Sequence, residues 1–164
     1  MTQSLAGLDF TQLSSQIEEL NAFLVEFQGQ LHTEAELLKS NNTPALSEST
    51  ETKINLTEKI DSQVKQVNRT LSQNNVQADF FELANQKAFQ QCPNALQSKV
   101  EKTLSLTQIC HDLNMANGMS IQILSNINQV SLQILTGQNQ TDANLYGSSG
   151  VTTQSKSKSS LGKA

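Results

Sequence analysis

The most reactive side chains in the 164-residue chain are Cys92, Cys110, His32 and His111, its only cysteines and histidines. A thiol beside an imidazole could form a nucleophile–base pair. Cys110 and His111 are adjacent, however, and helical neighbours point about 100° apart, so they cannot serve one another. Cys92 would need a distant histidine, and nothing local supplies one. Without a CxxC spacing the two cysteines read as reduced, partly buried thiols of a cytoplasmic protein, a disulfide between them being the lesser reading. HxxxH, ExxH and zinc-spaced Cys/His clusters are absent, so no metal is expected. His32, near Glu34 and Glu36, reads as ordinary helix surface. Glu18–Glu19 and the other carboxylates are expected on solvated faces, whereas paired-carboxylate catalysis needs a cleft. No GxxxxGK[ST] or GxGxxG occurs, and the glycines are scattered. The expectation is a binding protein: no enzyme, no cofactor.

Composition limits what can position such groups. Apolar residues make up 36% of the chain and charged residues 16%, with no tryptophan. That is thin for a multilayer core and sufficient for long helices that each bury one seam. With 20 Gln and 15 Asn, the exposed faces are more amide than charge. Before Gln138 there are 8 basic against 14 acidic residues, and after it Lys156, Lys158 and Lys163 against Asp142. An acidic body with one arginine, Arg69, argues against nucleic acid as a partner. "MTQSLAGLDF" has neither a basic n-region nor an apolar h-region, and no apolar run approaches the ~20 residues of a span, so neither signal peptide nor membrane insertion is expected.

Apolar periodicity predicts the elements. Asp9 or Thr11 can cap a helix in which Leu13, Ile17, Leu20, Leu24, Phe27 and Leu31 recur at steps of 4 and 3, continued by Ala35 and Leu38. It stops near "KSNN". Thr43 as N-cap with Pro44 at N1 opens a second helix. Its seam is Leu46, Ile54 or Leu56, Ile60, Val64, Val67 and Leu71, with a Ser/Thr-rich first half expected to be the more mobile. Residues 77 to 91 read as a short helix that plugs one end, stopped by Cys92-Pro93. The last helix, roughly 94 to 136, begins with Leu96, Val100 and Leu104. It continues through Ile109, Leu113, Ala116, Ser120, Ile123, Ile127, Val130 and Ile134, again at steps of 4 and 3, with Leu106, Cys110, Leu124 and Leu135 widening the stripe. Gly137 suits a C′ residue. The expected fold is all-α: an antiparallel, coiled-coil-like bundle of three long helices plus one short helix over residues 1–137, then a flexible, disordered polar tail, 138–164.

Two features remain. "LNMANGMSIQIL" places Asn-Gly in mid-helix. It is either a tolerated blemish or a site where another backbone approaches Gly118. "DANLYGSSG" places Leu145 beside the single tyrosine, Tyr146, in a polar tail. The pair either folds back on the bundle or serves as a docking peptide.

Together these features resemble the FlgN family, flagellar type III export chaperones of the hook–filament junction proteins. "FLVEFQGQL" is similar to that family's acidic residue amid leucines, and "ETKINLTEKI" to its second-helix lysine, here Lys53. Asn114, Asn117 and Gly118 match its "N..NG" signature. Tyr146, Gly147 and Gly150 match "YG..G", and "SLGKA" its ending. The chain departs from the pattern at Lys158-Ser159, where the family usually has an arginine, and in the Ser/Thr-rich stretch 41–53.

The resemblance implies a cytoplasmic chaperone that binds the C-terminal helical segments of the junction proteins, prevents premature assembly and delivers them to the export ATPase complex and export gate. It implies client contacts at Asn117, Gly118, Ile123, Ile127, Val130 and Ile134, and gate docking at Leu145, Tyr146 and Gly147. A homodimer is compatible with it. The free protein should hold the end of its last helix weakly. The rival readings are a structural or adaptor coiled-coil protein of a secretion or filament system, which would self-assemble through the same heptads, and an enzyme of unrecognised type working through a cysteine.

Overall fold

The structure, a computed structural model, describes residues 9–136. Among these it contains α1 (Phe10–Ser40), α2 (Thr43–Gln73), the one-turn α3 (Phe80–Leu83), a 3-10 turn (Lys87–Gln91) and α4 (Asn94–Leu135), with no strand. Three long helices and one short one are the expected architecture. The chain divides into two compact units, Met1–Ile123 and Leu124–Ala164. The expected tail, 138–164, lies outside the described residues.

In the first unit, Asp9 caps α1, its carboxylate accepting the backbone N–H groups of Thr11 and Gln12. α1 ends where Asn41 adopts a left-handed conformation, φ 51°, which asparagine tolerates well. α2 starts one residue earlier than predicted: Asn42 is the cap, accepting from Ala45 N–H, and Thr43 is already helical. α1 and α2 are antiparallel. Gln63 donates to the Gln16 carbonyl near one end, and Gln30 donates to Ser49 near the other. α4 runs parallel to α1, because Lys99 pairs with Glu18, Thr103 with Asn21 and Asn117 with Leu31. Each junction is a side chain reaching across a helix interface.

The core joins Leu13, Ile17, Leu20, Leu24 and Leu31 of α1 to Val67 and Leu71 of α2 and to Leu96, Val100, Leu106 and Cys110 of α4. At α2 the seam passes through buried Leu56, while Ile54 is exposed. The segment between α2 and α4 is two short pieces rather than the single helix expected over 77–91. Val76, Ala78, Phe80, Leu83, Phe89 and Cys92 all enter the same core, whereas Phe81 stays outside with its ring edge-on to Phe80. Burying so many side chains within a short stretch demands an irregular path that a straight helix face cannot provide.

The α4 seam differs from the periodicity reading. The face covered by α1 and α2 carries Leu96, Val100, Thr103, Leu106, Cys110 and Asn117, with Leu113 half-buried. Ile109, Ala116, Ser120 and Ile123 of the predicted seam are exposed. Thr103 and Asn117 carry the register. They are polar and therefore invisible to an apolar count, yet they can be buried because α1 supplies their hydrogen-bond partners. In the second unit, Leu124 is half-buried and residues 125–136 are all exposed.

Candidate functional site

Two features rise from the sequence patterns singled out above. The first is a polar clasp. α1 brings Glu34 to the helix interface one turn after Leu31 and one turn before Leu38, both buried. Glu34 is itself 1% exposed. Lys53 of α2 pairs with Glu34 Oε1 at 2.7 Å. Asn117 of α4 donates to Glu34 Oε2 at 2.8 Å and to the Leu31 carbonyl at 2.8 Å. Asn114 accepts a longer contact from Lys53, 3.4 Å. One carboxylate therefore joins all three long helices, with both oxygens occupied. This corrects the reading of Glu34 as surface. The position is a heptad step from Leu31, and the lysine in α2 and the asparagines in α4 were the available signal.

The clasp also places Asn117. At 4% exposure, with its amide engaged on α1, it is not on the surface expected to meet a client. Gly118 is exposed, and a Cβ built there would meet nothing within 4 Å, so no backbone of the described chain approaches it. The Asn-Gly pair interrupts nothing, since α4 passes through it unbroken. The glycine's neighbour Asn117 is hydrogen-bonded to α1.

The second feature is the uncovered part of α4. Asn117 is the last buried residue of the helix. Beyond it, Met119, Ile121, Ile123, Ile127, Val130, Leu132, Ile134 and Leu135 are exposed, from 40% at Ile121 to 82% at Leu135. Scattered exposed apolar residues are ordinary, whereas these are concentrated in one run. Ile123, Ile127, Val130 and Ile134 recur at steps of 4, 3 and 4, the spacing of a helix seam, with no other helix on it among the described residues. Leu145, Tyr146 and Gly147 lie outside the described residues.

The reactive groups are not assembled. Cys92 and Cys110 are free and buried, and Cys110 Sγ lies 3.5 Å from the Leu24 carbonyl. Burial pushes both thiols above their ordinary range, the reverse of an activated nucleophile. His111 is exposed on the rim of a small, almost wholly apolar recess lined by Leu24, Phe27, Thr57, Ile60, Thr107 and Cys110. At the surface, the Lys99 ammonium hydrogen-bonds Glu18 at 2.7 Å and holds its carboxyl below the usual range. No described helix is long and apolar enough to cross a membrane.

No curated protein and no solved structure matches the chain. The FlgN protein family matches residues 1–154, which includes every element described above and most of the residues after α4. That span also takes in Lys53, Asn114 and Asn117, the signature residues that the structure gathers around Glu34. The chain belongs to the FlgN family, a family of flagellar export chaperones.

Proposed function

We propose that this protein holds the C-terminal helical segments of hook–filament junction proteins in the cytoplasm, keeps them from assembling, and delivers them to the flagellar type III export apparatus. The observation that carries the reading is the exposed series Ile123, Ile127, Val130 and Ile134 on α4 of a FlgN-family chain. A protein that polymerises through amphipathic helices exposes an apolar stripe while unassembled. A helix face of matching period can cover that stripe. Each Ile or Val that becomes fully buried contributes about 1.5–3 kcal/mol, so four can outweigh the cost of association.

Within this reading Asn117 acts indirectly, by anchoring α4, and Gly118 leaves an open patch beside the client. Leu145, Tyr146 and Gly147 serve delivery, with Tyr146 contacting the export gate and the export ATPase complex as a further partner. Tyrosine suits a short docking peptide because it brings contact area and a hydroxyl with few rotatable bonds.

Pull-down of a junction-protein C-terminal segment tests the client site. Ile127→Asp should lose the client while the protein stays helical, and normal capture by that variant would reject the assignment. Tyr146→Ala should retain the client and lower export. Loss of client binding there would reverse the two roles. A structural or adaptor role remains the rival, since the same exposed series could join copies of the chain. Polymerisation of the protein alone would favour it.

A further inference from the structure

The partner of the uncovered α4 face can be specified further, on the reading that this face holds a client. From Leu113 through Thr141 the chain has no charged residue. The described part of that stretch is helix to Leu135. In the helical register set by Ile123, Ile127, Val130 and Ile134, Asn126 and Gln133 border the seam on one side, and Leu124 and Ser131 on the other. In two-stranded helix pairing these flanking positions normally carry the charges that choose partner and orientation. Here they carry an amide, an amide, an isobutyl group and a hydroxyl. Asn126, Ser131 and Gln133 are exposed in the free protein and available to a docked helix.

We infer that the α4 face selects an amphipathic helix of another chain whose own seam-flanking residues are uncharged, and that it binds this helix without electrostatic assistance. The physical reason is desolvation. A lysine or glutamate flanking the partner's seam would lose water against Asn126, Gln133 or Ser131 and gain no counter-charge. A neutral amide or hydroxyl exchanges hydrogen bonds with them at little net cost. The face thus rejects charged helices by leaving their charges unpaired and accepts neutral ones by apolar fit. A second copy of this chain presents equally neutral flanks, but it brings a body of 8 basic against 14 acidic residues toward an identical one. That repulsion disfavours self-pairing relative to a partner without the excess.

The test is a titration of the full-length protein with a peptide of the C-terminal helical segment of a hook-associated protein from the same organism, at about 50 and about 500 mM NaCl, a range over which exposed charge pairs are strongly screened. The expected change in Kd is within about threefold. A larger weakening at high salt overturns the inference and leaves the chaperone reading intact. Absence of binding at both salts overturns the chaperone reading itself. The double variant Asn126→Glu/Gln133→Glu should weaken binding by about tenfold, and by a similar factor at both salts, because an unpaired charge loses water and has no opposite charge for salt to screen. Unchanged affinity in that variant overturns the inference. Sedimentation of the protein alone covers the remaining occupant: a dimer that Ile127→Asp dissolves, and that the peptide fails to displace, assigns the face to a second copy and overturns the proposal.

Discussion

Asn117 and Glu34 stand 83 residues apart in the chain, and the Asn117 amide donates to the Glu34 carboxylate at 2.8 Å inside the helix interface. Lys53 completes the ion pair from the third helix. A buried carboxylate is costly unless paired and hydrogen-bonded, and here both oxygens are.

The clasp should therefore be asymmetric to mutation. Lys53→Met leaves Glu34 without its counter-charge and should lower stability by about 2–3 kcal/mol, below the ~3–5 kcal/mol of a fully buried broken pair because Lys53 is partly exposed. Glu34→Gln keeps an acceptor for Asn117 and should cost about 1–2 kcal/mol. Urea midpoints of the two variants measure this, and a Lys53→Met midpoint equal to wild type would strip the clasp of any stabilising role.

Gly118→Ala should raise stability by about 0.5–1 kcal/mol. A mid-helix glycine costs roughly that relative to alanine, and nothing stands in the way of a Cβ. The same variant reports on the client. Weakened client binding with raised stability would mean that a client backbone sits against Gly118.

The α2 register predicts a contrast between near neighbours. Leu56→Ala should cost about 2–5 kcal/mol by emptying a core position, and Ile54→Ala under about 0.5 kcal/mol. Thermal denaturation would expose an exchanged order.

The pH dependence has two limbs. Because burial raises both thiols, the unfolded chain ionises first, so their contribution is present through neutral pH and lost as pH rises past the ordinary thiol range. Glu18, lowered by its hydrogen bond and charge attraction to Lys99, contributes above the ordinary carboxylate range and loses that contribution as pH falls through its depressed value. The acidic effect should be small and screened by salt, since Glu18 is exposed. A thiol-reactive chromophore should label Cys92 and Cys110 only after urea is added. Rapid labelling of the native protein would contradict their burial.

Hydrogen exchange should separate the ends of α4. Amides of residues 125–135, whose side chains cover nothing, should exchange faster than those around Leu20. Equal protection would mean that this stretch is already covered in the free protein.

Much of this molecule follows from the order of its residues alone. Asp9 and the asparagines at 41–42 bound α1 through local hydrogen bonds, and the leucines from Leu13 to Leu38 define its buried stripe, because a helix repeats every 3.6 residues wherever it lies. The resemblance carried by Lys53, Asn114, Asn117 and Gly118 was equally readable. What tertiary structure decided is which of two stripes on α4 faces inward. Ile109 to Ile134 form the better apolar series, yet α1 and α2 cover the face of Thr103, Cys110 and Asn117, because Asn21, Leu31 and Glu34 hold partners for the polar members. Glu34 itself changes from a surface charge to the centre of the interface only once Lys53 and Asn117 arrive from distant parts of the chain. Burial of a polar group depends on partners in space, and no local period encodes them.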